Sequence, residues 1–154
     1  MEDQLLETWQ IHSRINHYLI DGIEEDEHLK DKVASKGRSA GEQLAHMHNV
    51  RLMWLKAAAP ELLEGLNKVE KKDAVKRDFL KEQLTASSLA MEALLKKGFA
   101  EKRIKGFKPH PSAFLGYIIS HESHHRGQIA LCLKHSGHPL SKKVGFGMWE
   151  WGSR

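Results

Sequence analysis

Apolar residues recur along most of the chain at spacings of three and four, which predicts helices with one buried face. Over residues 2–21 the stripe is Leu5, Leu6, Trp9, Ile15, Leu19 and Ile20, with His12 and Asn16 close to it, and Gly22 ends it. Residues 24–38 are polar and lysine-rich and predict a loop with room for one turn of helix, Lys36-Gly37 being its clearest breaker. Ser39 is a good N-cap, with Gln43 close to the capping-box position, for a helix over residues 40–59 that Pro60 stops. A short helical turn is expected at 61–66. A third helix is predicted over 73–97, with Val75, Phe79, Leu80, Leu84, Leu89, Met91, Leu94 and Leu95 on its apolar side. Asp73 at its start and Lys96-Lys97 at its end suit the helix dipole, and Gly98 is placed to end it. Residues 104–111 form a connector broken by Gly106, Pro109 and Pro111. The fourth long helix is predicted over 112–136, with Pro111 near its first turn and Gly137 at its end. The tail, 137–154, is too rich in glycine for a regular helix and too aromatic to hang free, so it is expected to fold back over the rest. No segment reads as a strand and no internal repeat is visible. Four long helices in one small domain, residues 1–154, predict an all-α fold, a four-helix bundle with a folded-back aromatic tail.

Composition changes this picture little. Charged residues at 29% and apolar ones at 40% describe an ordinary soluble globular chain with enough length for a real core. Met1-Glu2-Asp3-Gln4 is acidic and lacks an apolar h-region, so no signal peptide is expected, and no apolar run is long enough to cross a bilayer. Cys132 is the only cysteine, which excludes an internal disulfide and fits a cytoplasmic location. The formal charge of +4 is scattered in pairs such as Lys71-Lys72, Lys96-Lys97 and Lys142-Lys143. Without a dense basic stripe, nucleic acid is not an expected partner. The unusual feature is histidine, 11 residues in all, several on apolar helical faces where an unpaired polar ring is costly.

The histidines carry the candidate chemistry. His121 and His125 lie one turn apart on a seam shared with Phe114, Ile118, Gln128 and Cys132, so both face inward. An i, i+4 pair of imidazoles can close on one metal ion, and bundles build such sites from facing helices. A third ligand would come from the second helix, where both His46 and His48 are candidates and spacing does not separate them. Three neutral imidazoles leave a coordination position open, the arrangement of a catalytic zinc rather than a structural one. Gln128 is a candidate partner for a ligand ring, and His124 lies off the seam. The same residues spell His121-Glu122-Ser123-His124-His125, the H-E-x-x-H of zinc peptidases, although Gln128 and Leu131 break the extended metzincin pattern. Gly127, in mid-helix, suggests close approach of another helix. Arg126 is placed to bind an anionic group or a helix end. Trp149 and Trp151 would either line a pocket near the metal or simply pack.

Two stretches resemble the DinB-like family of four-helix-bundle metal proteins. One is Leu44-Ala45-His46-Met47 running into Trp54-Leu55. The other is His121 to Gln128, an H-x-x-x-H-R-G-Q segment that continues into Ile129 and then Gly137-His138-Pro139. The resemblance implies a site of His46, His121 and His125, leaving His48 as a neighbour, with zinc or nickel as the divalent ion and a homodimer as the assembly. The superfamily includes bacillithiol S-transferases and the mycothiol-dependent maleylpyruvate isomerase, so the expected partner is a small molecule, such as a low-molecular-weight thiol. The expected function is a metal-dependent thiol S-transferase or hydrolase acting on a small molecule. The alternatives are a non-catalytic, stress-related metal-binding protein and an H-E-x-x-H zinc peptidase. No acid–base residue stands out, so no catalytic residue is assigned beyond the ligands.

Overall fold

Helix ends fall where a side chain or a backbone turn satisfies the unpaired groups of the terminal turns. In the computed structural model, which describes residues 1–154, the long helices are α1 (Glu2–Asp21), α2 (Ala40–Ala58), α3 (Arg77–Glu101) and α4 (Pro111–His135). A short α5 (Lys142–Gly147) follows, and 3-10 turns at Asp26–Lys30, Pro60–Leu63, Lys71–Asp73 and Trp151–Ser153 punctuate the connections. The single bridge pair, Ile104 with Phe107, does not extend into a strand.

At the start of α2 the Ser39 Oγ accepts from the Glu42 backbone N–H (3.2 Å), while the Glu42 carboxylate accepts from the Ser39 N–H (2.8 Å). This capping box uses Glu42 and leaves Gln43 free to point elsewhere. α3 starts at Arg77 rather than at Asp73, which belongs to a separate turn. Its cap comes from another segment: Asp26 Oδ1 accepts from the Arg77 backbone N–H at 3.0 Å and from its Nε at 2.9 Å. α3 also runs through Gly98, which lies inside the helix because Ile104 packs over it; a Cβ there would meet Ile104 Cδ1 at 2.3 Å. The helix ends instead on Lys102, left-handed at φ 58°, with Arg103 N–H donating to Gly98 O (3.0 Å) and Lys102 N–H to Phe99 O (3.3 Å).

α2 packs against α3 and α4, and α1 packs against the same two, so α1 and α2 sit diagonally across the bundle. A diagonal step needs a long connection, which is why the polar stretch between them exists. Two apolar clusters fill the interior. One gathers Leu19, Ile20, Leu44, Met47, Leu80, Leu84, Ile129 and Leu133, and the other Trp9, Leu55, Met91, Leu95, Phe114 and Ile118. Between them lies a fully buried polar layer of His12, Asn16, His48, Arg51, Ser87 and Glu122.

The tail folds back onto α1. It does so as a short helix, because the Ser141 hydroxyl caps the Val144 N–H (3.2 Å) despite the glycines. Gly147 sits against Tyr18, where a Cβ would lie 2.2 Å from the phenolic oxygen, and the Arg154 guanidinium stacks 3.8 Å above the Tyr18 ring. No helix is long and apolar enough to cross a membrane.

Candidate metal centre

Packing of α2 on α4 brings the side chains of His46, His121 and His125 to one point. One ring nitrogen of each lies within 4.8 Å of the other two. His121 Nε2 and His125 Nε2 are 3.1 Å apart, and the His46 ring centre is 5.4 Å from that of His121 and 4.6 Å from that of His125. Two nitrogens each about 2.05 Å from a tetrahedral zinc are separated by about 3.3 Å, so the observed spacing is already near that of a shared ion.

Burial pushes all three imidazoles towards the neutral form that a ligand needs. Desolvation, with Arg38 and His121 adding to it, takes His46 down to about 4. Desolvation and the neighbouring His121, His46, His124 and Arg38 take His125 down to about 3. His121 is lowered chiefly by desolvation, partly opposed by Glu122. The tautomer of His125 is fixed: Gln43 Oε1 can only accept, so His125 Nδ1–H donates to it at 2.5 Å and leaves Nε2 with a free lone pair. That lone pair faces His121 Nε2, and His121 Nδ1 is buried with no protein partner. A cation accepting a lone pair from each of the three converging rings would take the place of the proton that His121 and His125 otherwise share, and it fits the donor set.

The triad opens onto two basic hollows that share Arg38 and Lys71. One, about 570 Å³, is reached past His46 and includes Lys68, Lys72, Glu42 and Glu70. The other, about 690 Å³, is reached past His125 and includes Lys36, Gln43, His124, Gln128 and Cys132.

A family model described as the DinB family matches residues 1–143. The chain belongs to the DinB family. No curated protein and no solved structure gives a match.

Within this DinB-family bundle the other candidates separate cleanly. His48 turns away from the triad: its Nε2–H donates to Asn67 O (2.8 Å), and its Nδ1 pairs with Ser87 Oγ (3.0 Å). Gln128 lines the larger hollow, but the bond to a triad ring is made by Gln43. The signal for Gln43 lay in the sequence, since the box Ser39-x-x-Glu42 leaves the next residue facing inward. Arg38, in the exposed loop before α2, is the group that sequence periodicity could not find. Cys132 is buried, and burial raises its thiol pKa, so it stays protonated.

Glu122 is not beside the triad. Its carboxylate is fully buried and takes Arg51 Nε on Oε1 (2.6 Å), and Arg51 Nη2 (2.8 Å), His12 Nε2 (2.7 Å) and Asn16 Nδ2 (2.8 Å) on Oε2. Burial pushes its pKa up, but the adjacent Arg51 charge and the donated hydrogen bonds outweigh that and hold it well below the ordinary carboxylate range. The glutamate that a zincin sets against its water is thus committed to the bundle interior, which removes the base from the peptidase reading.

The tail does not line the metal site. Trp149 and Trp151 border a cleft with Ser123, Arg126, Gly127 and Ala130, about half a turn around α4 from His121 and His125. Trp149 is 81% exposed, so simple packing does not describe it either. No helix approaches Gly127: a Cβ there would meet nothing within 4 Å.

Proposed function

We propose that this protein is a metal-dependent enzyme of the thiol S-transferase or hydrolase kind acting on a small anionic molecule, with His46, His121 and His125 as ligands of zinc or nickel. The observation that carries the reading is the convergence of three neutral imidazoles at the mouth of two basic hollows. A divalent ion held there supplies Lewis acidity, lowering the pKa of a thiol or water at its open position towards neutrality. Gln43 keeps His125 in the tautomer and orientation that ligation requires. Arg38 and Lys71, common to both hollows, attract and orient an anionic group on the substrate or thiol. His124 borders the larger hollow within reach of small molecules entering it.

Membership of the DinB family is compatible with a low-molecular-weight thiol as co-substrate. The test is turnover of the metal-loaded protein with bacillithiol, mycothiol or glutathione and an aryl halide electrophile. Turnover that disappears with chelator and with His121→Ala supports the proposal. Rates equal in the variant and the parent protein overturn it. One observation favours a non-catalytic metal-binding role as the second reading: Glu122, the carboxylate of the H-E-x-x-H string, is fully engaged elsewhere. Stoichiometric metal binding without turnover would select it.

A further inference from the structure

The cleft between α4 and the tail has its own chemistry, separate from the triad. Its only charged lining residue is Arg126. The Arg126 guanidinium is held from behind: Nη1 donates to Asn16 Oδ1 (2.7 Å) and His12 Nδ1 (3.1 Å), and Nη2 donates to Ser123 Oγ (2.9 Å). All three acceptors are neutral. His12 uses its Nε2–H on Glu122, which fixes Nδ1 as an acceptor, and burial keeps the ring neutral. The closest carboxylate, Glu122, lies behind His12 and Asn16 and is already matched by the bidentate Arg51. The polar layer and Arg126 together hold two guanidinium groups and one carboxylate, and the excess positive charge sits at Arg126, which borders the cleft.

The walls of that cleft are apolar. Met148, Ala130 and the Trp149 and Trp151 indoles surround a space of about 200 Å³. This is below the roughly 300 Å³ at which drug-sized sites begin, so the occupant is a single ring or a short chain. One planar guanidinium matches one carboxylate in a two-bond fork, and indole faces suit a flat apolar body. A phosphate or a larger polyanion would find no second cation among the lining residues. We infer that this cleft is a second binding site, taking a small amphiphilic monocarboxylate with its anionic end on Arg126 and its apolar body between Trp149, Trp151 and Met148. It shares no residue with the triad and does not depend on that site being catalytic.

The test is NMR of the metal-loaded full chain titrated with benzoate, and with benzamide as its neutral isostere, following the tryptophan indole N–H signals. Benzoate is expected to shift Trp149 and Trp151 saturably, leave the buried Trp9 unmoved, and bind at least about tenfold tighter than benzamide. Arg126→Gln should weaken benzoate by about tenfold or more. Because Arg126 also supports the interior, Trp149→Ala provides a second reading at an exposed position: benzoate weakens severalfold while metal affinity is unchanged. Equal binding of benzoate and benzamide, no saturable shift of Trp149 or Trp151, or affinity unaffected by both variants overturns the inference. So does sedimentation showing a dimer that Trp149→Ala dissociates, with benzoate binding only the dissociated form; the cleft would then be an interface between copies of this chain.

Discussion

Replacing Glu122 by glutamine tests the interior and the chemistry together. The carboxylate collects two bonds from Arg51 and one each from His12 and Asn16, all with no access to water. Glutamine keeps the shape but removes the charge, so Arg51 remains buried without a counterion. The new amide NH2 also meets a donor in place of the acceptor that was there. Breaking one side of a buried pair costs about 3–5 kcal/mol. In a chain of this length that corresponds to a fall in melting temperature of roughly 6–20 °C. The variant should still bind metal, though more weakly, because the glutamate side chain does not face the triad but holds α4 and α2 in register.

The acid side of the curve provides an independent check. Glu122 has a folded pKa depressed below its ordinary 4.5, so its contribution is fully present above that value and is lost as pH falls through the folded pKa. The parent protein and Glu122→Gln should therefore differ most near neutrality, and the gap should narrow below about pH 4.5. Chemical denaturation with and without metal, repeated across pH, measures both effects. A variant as stable as the parent that has lost all metal-dependent turnover would refute the reasoning, because it would make Glu122 the base of a zincin.

Other outcomes follow from the same geometry. His46→Ala and His121→Ala should each abolish stoichiometric binding of zinc by calorimetry, whereas His48→Ala should lower stability while leaving zinc binding intact. Gln43→Ala frees the His125 ring and should weaken zinc by about 10–100-fold without unfolding α2, measured by competition with a chromophoric chelator. The metal-free protein should lose stability as pH drops below about 6.5, since the unfolded chain takes up protons that His46 and His125 refuse until about 4 and about 3. Zinc at about 100 times its dissociation constant should add about 2.7 kcal/mol at neutral pH, read from thermal melts. The double replacement Arg51→Met with Glu122→Leu should fold at least as well as Glu122→Gln alone, since removing both charges avoids an unpaired one.

Helix periodicity, caps and breakers were enough to read the four long helices, and the reasons for each misplaced end are local. Asp73 looked like a helix start because acidic residues favour that end, but the cap of α3 is Asp26, from another segment that no local rule connects to it. Gly98 looked like a stop, yet its missing Cβ serves the contact with Ile104. His121 and His125 were legible because one helix face places them. His46 and His48 were not separable by spacing, since that choice depends on how α2 is rotated against α3 and α4. The function of Glu122 was hidden for the same reason. Its partners come from α1 and α2, and the string H-E-x-x-H contains none of them.

That rotation has a physical origin in the polar layer. Apolar side chains tolerate small changes of helix register and rotation, because many packings bury similar area. A bidentate guanidinium–carboxylate pair does not, because two short bonds fix both the separation and the angle of the partners. Glu122 ties α4 to α1 through His12 and Asn16 and to α2 through Arg51. Arg51 in turn ties α2 to α3 by donating to Leu84 O (2.9 Å) and Ser87 Oγ (3.1 Å). Glu122 directly follows His121, and Arg51 lies five positions after His46 on α2, so locking this pair sets how α4 and α2 face each other at the triad. The carboxylate that resembles a catalytic base in the sequence therefore acts as the fixed point that lets imidazoles from two helices meet.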